Sequence, residues 1–543
     1  MTSGQATHRV ENQPPEFALR DLWREDVALR EAVGREGASA FAGRLAAYGA
    51  LAGGELLALS FEAHRDRPRL RTHDRSGHRI DTVEFHPAYH AVMDAAIRHG
   101  VAGLSWAEPV PGAHVARAAL SYLHYQVEPG TSCPLTMTHA AIPVLAREPA
   151  LSGWAGKAAA CRYDACDLPA ADKSGLTLGM GMTEKQGGSD VRANTTTATP
   201  IVGGDDYLLR GHKWFLSAPM SDGFLVLAQA PGGLTCFLMP RRLPDGALNG
   251  FRLMRLKDKL GDWSNASSEI EFDAALAHRV GGEGRGIATI IEMVMLTRLD
   301  CMLGSAGLMR MALAQALHHC RHRHAFGKAL IDQPLMRNVL ADLAIEVEAA
   351  VALSFRVARA VDAAQRDRSE AAFARIATAI GKFWICKRAP VVANEAQECL
   401  GGAGYVEESL LPRLYRQAPL NSIWEGSGNI QCLDVLRALA REPETGAALL
   451  AELDAMRGVD GDYDAALAGL RAWMATDPGE AAARSLVERM ARLLQAAVLL
   501  RAQHPAAGAF CRGRLGGAHG AVFGSLPTDA PFGMLLARAG SAA

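Results

Sequence analysis

Apolar positions change their spacing twice along this chain. From about residue 31 to 175 they recur at helical intervals, most clearly over 91–104 and 111–127, which are Ala-rich. They then gather into short runs: Tyr207-Leu208-Leu209, Phe224-Leu225-Val226-Leu227, Cys236-Phe237-Leu238-Met239 and Ile270-Glu271-Phe272. Gly, Pro and Asp separate these runs, which predicts the strands of a small antiparallel unit. From Gly286 the helical spacing returns. Asp332-Gln333-Pro334 predicts a helix start, with the acid as cap and the proline in the first turn. Leu335, Val339, Leu343 and Val347 then predict one buried stripe. A second long helix is expected over about 369–399, stopping at Gly401-Gly402, and another begins near Asn429. Past Pro443 come about a hundred further residues, helical in pattern through Arg501, with a Gly-rich stretch from Cys511 to Gly517. Residues 1–30, with Pro14-Pro15, read as a polar arm, and 72–79 as a turn-rich connection.

Composition narrows the function classes. A chain of 543 residues exceeds a single core, so several domains are expected. The net charge of −1 gives no overall basic field, so any nucleic-acid binding needs a local patch. Ten cysteines without a CxxC pair argue against a zinc ribbon or disulfide framework and for a reducing compartment. The polar opening MTSGQATHRVENQPPEF lacks the apolar stretch of a signal peptide, and no run of 18 apolar residues suggests a membrane span. The expectation is a cytoplasmic protein.

The densest chemistry lies in Gly181-Met182-Thr183-Glu184-Lys185-Gln186-Gly187-Gly188-Ser189-Asp190-Val191-Arg192-Ala193. Gly187 and Gly188 let backbone approach a ligand closely, while Thr183 and Ser189 offer hydroxyls at the two ends. This run resembles the signature of the acyl-CoA dehydrogenase flavoproteins. Lys185-Gln186 stands where most members have Pro-Gly, and the wording MTEKQGGSDV is similar to the AidB-type branch, associated with the response to DNA alkylation.

The resemblance implies an α+β architecture, the acyl-CoA dehydrogenase fold. It comprises an N-terminal helical domain (1–178), a middle antiparallel β domain that binds flavin (179–284) and a C-terminal four-helix bundle (285–442). An extra helical domain (443–543) follows, to which the resemblance assigns DNA binding. It also implies FAD, with Met182, Thr183, Gly188 and Ser189 around it.

Ile423-Trp424-Glu425-Gly426-Ser427-Gly428-Asn429 has two readings. Taken alone, Ser427 or Asn429 caps a helix and Glu425 is a solvated acid near its positive end. The resemblance instead makes Glu425 the catalytic base that removes a thioester α-proton while a β-hydride passes to flavin N5. It puts Trp424, Gly426, Ser427 and Asn429 beside the cofactor. Burial near Trp424 would raise the carboxyl pKa toward working pH, as a general base needs. Some family members carry the base on another helix, directly before an Arg; here Thr297 precedes Arg298 and cannot serve, which leaves Glu425.

In Gly211-His212-Lys213-Trp214-Phe215-Leu216-Ser217 the family register sets Phe215 and Ser217 beside the flavin, with Trp214 one residue out of step. A slip of one would turn that aromatic to the opposite sheet face. Arg323, Phe326 and Gly327 match the family's Arg-x-x-Phe-Gly, implying contact with the FAD of a neighbouring subunit and a homotetramer. The histidines around them suggest a metal, but no acidic partner accompanies the cluster, so none is expected. Glu398-Cys399-Leu400-Gly401-Gly402 fits a second signature, in which the backbone of Gly401 and Gly402 suits the diphosphate better than the Glu398 carboxylate does.

Two functions follow. One is an ordinary short- or branched-chain acyl-CoA dehydrogenase acting on an acyl-CoA. The other, preferred on the resemblance, adds non-specific binding of double-stranded DNA. From Arg441 onward there are ten Arg, no Lys and eleven acids, so DNA would need local pairs, Arg437 with Arg441 or Arg512 with Arg514.

Overall fold

The computed structural model describes residues 7–18, 20–476, 479–518 and 520–540. Its N-terminal part is helical, running from Val27–Arg35 to Ser152–Ala159. The turn-rich segment at 72–79 is the bend of a hairpin between β1 (Arg69–His73) and β2 (Arg79–Glu84). The expected helices over 91–104 and 111–127 appear as Pro87–His99 and Ala113–Tyr125. At the centre lies Pro129–Ala146, with side chains buried on every face, which is why it shows no amphipathic stripe.

The middle unit contains β3 (Leu178–Gly181), β4 (Thr197–Pro200), β5 (Asp206–Ser217), β6 (Gly223–Ala230), β7 (Gly233–Pro240), β8 (Phe251–Leu256) and β9 (Ser267–Val280). The strand order is β3-β6-β4-β5-β9-β7, β8 pairs with β9, and a further β6–β7 pairing closes the sheet on itself. Most pairs are antiparallel, as the short separated runs predict. The exceptions are β3 and β4, both parallel to β6. Polar, short β4 gave no apolar run to read.

The third part is built on three long helices, Gly286–His322, Pro334–Ala363 and Arg368–Leu400, followed by Gly428–Arg441. Gly286–His322 and Arg368–Leu400 run side by side in the same direction, as the contacts of Cys301 with Cys386 and of Cys320 with Cys399 require. The start of Pro334–Ala363 differs from expectation. Its cap is Gln333, without a side-chain bond, and Asp332 ends a separate 3₁₀ turn. Leu335 is 85% exposed, and the stripe is fully buried only from Leu343. Residues four apart drift about 40° per step around a helix, so a four-spaced row cannot stay on one face for long.

The segment beyond Pro443 forms Pro443–Asp454, Gly461–Met474, Ala483–Arg501 and Phe532–Ala539. These helices fold onto the bundle, and one continuous apolar core runs from Leu29 through the bundle to Ala539. Buried ion pairs cross the seam: Arg356 with Glu452, and Glu348 with His504 and Arg538. Among the described residues no helix is long and apolar enough to cross a membrane.

Candidate active site

The Met182–Ala193 loop leaves the end of β3 and is pinned from below by an acid that sequence reasoning passed over. Glu184 is fully buried, accepting from Lys213 Nζ at 2.6 Å and from the backbone of Thr195 and Thr196 at 2.7 and 3.2 Å. These partners outweigh desolvation and hold its carboxyl down at about 2. Gly188 folds back over Thr183: a Cβ there would come within 2.4 Å of Thr183 Oγ1, so a larger residue would displace the Thr183 side chain. Ser189 stands at the surface.

On β5 the structure places Trp214 and Phe215 on the same side of the strand. The register to β9 slips by one residue between Lys213 and Leu216, so both aromatics oppose Glu269. This bulge keeps Lys213 and Leu216 buried while Trp214 and Phe215 both lie outside. Lys257 Nζ sits over each ring, at 3.4 and 4.5 Å from the centroids. Phe215 remains 48% exposed, and Ser217 Oγ lies 3.1 Å from Ser267 Oγ.

Met182 and Trp424 belong to one apolar cluster, which brings the first loop and the Glu425 loop together. Glu425 takes φ +58°, a left-handed conformation costly for a residue with a side chain. Three buried cationic or amide side chains hold it. Arg298 Nε donates to the Glu425 carbonyl at 3.1 Å. Lys382 Nζ donates to the carbonyls of Trp424 and Gly426, both at 2.8 Å. Gln431 Nε2 donates to those of Glu425 and Gly426 at 3.1 and 2.8 Å. Arg298 is itself fixed by Asp434 at 2.7 Å.

The carboxylate meets Thr297, whose Oγ1 donates to Oε2 at 2.6 Å. The two candidate positions for the base, Thr297 and Glu425, therefore meet at one point, and of the two only Glu425 carries a carboxylate. Burial pushes the Glu425 pKa above the ordinary carboxyl value, opposed by the Thr297 bond and by the charges of Lys382 and Arg298. The N–H groups of Glu425 through Asn429 find no acceptor among the described residues. Ser427, at the N-cap of Gly428–Arg441, makes no side-chain cap bond, and Asn429 Oδ1 accepts from Arg484 at 3.2 Å. Neither residue is thus the side-chain cap that the plain reading of the motif expected.

Arg323, Phe326, Gly401 and Gly402 lie elsewhere. Thr297 lies within one long helix and Arg323 caps its C-terminal end, 26 residues or about 39 Å further along. Gly401 and Gly402 lie at that same far end, beside the Cys320–Cys399 contact. Phe326 and Gly327 are the two turn residues of the His324–Ala329 hairpin, with φ +52° and +78°, and the Phe326 side chain is 98% exposed. Arg323 Nη1 donates to Asn12 O at 2.6 Å. His318 bonds Pro15 O and His322 bonds His318 O.

Of the proposed DNA contacts, Arg437 and Arg441 are exposed and form no ion pair among the described residues. Arg512 pairs with Asp529 at 3.3 Å. Arg514 corrects the sequence reading: it is buried, held by Asp342 and Glu346 at 2.5 and 3.0 Å, and unavailable to a phosphate.

This fold and these loops agree with what the chain resembles. Residues 179–275 match the acyl-CoA dehydrogenase middle domain, and residues 284–440 match the acyl-CoA dehydrogenase C-terminal domain. The chain belongs to the acyl-CoA dehydrogenase family. Residues 12–165 match the adaptive response protein AidB N-terminal domain, and the chain is 48% identical to AidB of Escherichia coli (strain K12) over 93% of its length and 94% of the relative's. That sets it in the AidB-type branch. Acyl-CoA dehydrogenase family member 11 of Caenorhabditis elegans is 32% identical over 70% of this chain and 64% of its own. The solved structure of C. elegans ACDH-11 with C11-CoA matches 99% of this chain and 94% of its own, at 26% identity and a TM-score of 0.84.

Proposed function

We propose that Glu425 is the general base of an acyl-CoA dehydrogenase reaction, removing the proton next to the thioester carbonyl of an acyl-CoA. The observation that carries this reading is the Glu425 carboxylate itself. It is half-buried, raised in pKa, oriented by Thr297 and carried on a strained loop that Arg298, Lys382 and Gln431 hold in place. The unpaired Glu425 N–H is a donor for the oxygen on which enolate charge develops.

The residues present suit FAD. Phe215, Ser217, Thr183, Gly188 and Ser189 offer an aromatic face and hydroxyls for a polar ring system. The free N–H groups at Gly426, Ser427 and Asn429 suit phosphate oxygens. When bound, FAD supplies the two-electron acceptor for the β-hydride. Arg323, Phe326, Gly401 and Gly402 lie too far along the bundle to serve the same flavin, which supports their reaching into a neighbour's site within a homotetramer. Anaerobic mixing with a series of straight and branched acyl-CoAs tests the base assignment. Bleaching of the flavin by one of them, lost in Glu425→Gln, supports it; no bleaching by any member of the series removes it.

A second role for the same protein is non-specific binding of double-stranded DNA in the cytoplasm, as part of the response to DNA alkylation. Arg437 and Arg441 favour it, being exposed, without an ion-pair partner among the described residues, and one helical turn apart. Anisotropy titrations of a labelled duplex at two salt concentrations test it: affinity falling with salt supports phosphate contacts, and no binding ends the proposal.

A further inference from the structure

On the far side of the long Gly286–His322 helix lies a cavity of about 410 Å³ that plays no part in the chemistry above. Arg310, Ala314, Leu317, His318, Arg321 and His322 of that helix line it. These positions are three and four apart and share one face, whereas Arg323 is turned roughly 200° from Arg321. The opposite wall comes from the N-terminal arm, through Arg20 and Glu25, and from the Phe532–Ala539 helix with Gly540 after it. Both segments of that opposite wall lie outside the stretches that match the two acyl-CoA dehydrogenase domains.

The cavity carries more positive than negative charge. Arg20 is paired with Glu25, and Arg310 lies 3.2 Å from Asp26. Arg321 has no carboxylate partner among the described residues and donates only to the carbonyls of Leu536 and Gly540, at 3.5 and 2.9 Å. Arg310 is 6% exposed, and its Nη1 is buried without a hydrogen-bond partner among the described residues. A buried guanidinium N–H left without an acceptor is costly, and so is a third guanidinium crowded beside two others. Burial and the charges of Arg20 and Arg310 accordingly press the Arg321 pKa below its ordinary value. The unmet atom, Arg310 Nη1, is a donor, and Arg321 lacks a counter-ion among the described residues, so an acceptor carrying negative charge would satisfy both.

We propose that this cavity is a binding site for a compact oxyanion, phosphate or the phosphate group of a small ester, gripped by Arg310 and Arg321 with Arg20 at its rim. Its size admits a small phosphorylated molecule, and its recessed walls separate it from the exposed arginines offered to DNA. A fork of guanidinium N–H groups suits the tetrahedral oxygens of phosphate.

The test is calorimetric titration of the full-length, flavin-loaded protein with inorganic phosphate and with pyrophosphate, beside Arg321→Gln and Arg20→Gln. Saturable binding by the parent protein, weakened about tenfold or more in Arg321→Gln and less in Arg20→Gln, supports the site. The flavin spectrum and assembly mass of each variant should be unchanged, which separates loss of the site from loss of the fold. Absence of saturable binding overturns the proposal, as does equal binding by parent and Arg321→Gln. A short DNA duplex that displaces the phosphate would also overturn it, by assigning these arginines to a nucleic-acid surface instead.

Discussion

Replacing Thr297 by valine removes the hydroxyl that donates to Glu425 Oε2 at 2.6 Å while keeping the side-chain shape. A hydrogen bond to a charged group contributes about 1.5–3 kcal/mol, and each pKa unit corresponds to about 1.4 kcal/mol. The bond favours the ionised carboxylate, so its loss should lift an already raised pKa by about one to two units. The base must be ionised to accept a proton. The acid limb of the rate of flavin reduction should therefore move to higher pH by that amount, with the plateau above it little changed. Stopped-flow anaerobic reduction by the acyl-CoA that bleaches the flavin fastest, followed against pH, measures both. Thr297→Ser should restore the parent profile. Thr297 Oγ1 also lies 2.9 Å from the Val294 carbonyl, and its single proton serves one acceptor at a time. If that proton rests on Val294 and Glu425 is protonated, the limb would instead move to lower pH. That result, or an unmoved limb, refutes the reasoning.

Glu425→Gln should raise thermal stability at pH 8 while abolishing reduction. A carboxyl with raised folded pKa loses its stabilising contribution as pH climbs through that pKa, so an uncharged amide is favoured there; an unchanged or lower Tm at pH 8 would count against a desolvated base. Glu184→Gln leaves Lys213 buried and unpaired, an expected loss of about 3–5 kcal/mol, read as flavin release at lower temperature by fluorescence. In the parent protein Glu184 contributes stability above the ordinary glutamate pKa, lost as pH falls toward about 2, so acid should loosen the same loop. Phe326→Ala should weaken flavin retention in the assembled protein, measured by dialysis against free FAD, and leave the fold intact by circular dichroism, since the ring is exposed. Arg437→Ala and Arg441→Ala should each reduce the salt slope of duplex binding by about 0.9, whereas Arg514→Ala should alter stability and leave that slope alone.

Much of this architecture was legible because spacing and turn residues speak locally. The shift from helical to strand spacing near Tyr207 and back at Gly286 marks the β unit, and Gly401 ends its helix at φ +59°. The motifs located the loops of Thr183 and Glu425. What the sequence concealed were long-range partners. Glu184 looked like one polar residue among several, and only the fold brings Lys213 of β5 beneath it. Lys382 lies in an apolar helical run, where a lone lysine gives no hint that it binds two carbonyls from another segment. The Trp214–Phe215 ambiguity could not be settled by alternation, because a bulge breaks the alternation there. Arg514 looked available because its partners Asp342 and Glu346 lie far away in sequence.

The central claim is that the Glu425 loop is a working proton acceptor at a flavin rather than a strained relic. The most direct measurement is exchange of the α-hydrogen. An acyl-CoA deuterated at that carbon, incubated in ordinary water with purified flavin-loaded protein, should lose its label by mass spectrometry. Glu425→Gln should leave it in place. Retention of the label by the parent protein across straight and branched acyl-CoAs, or equal loss in both proteins, would contradict the account.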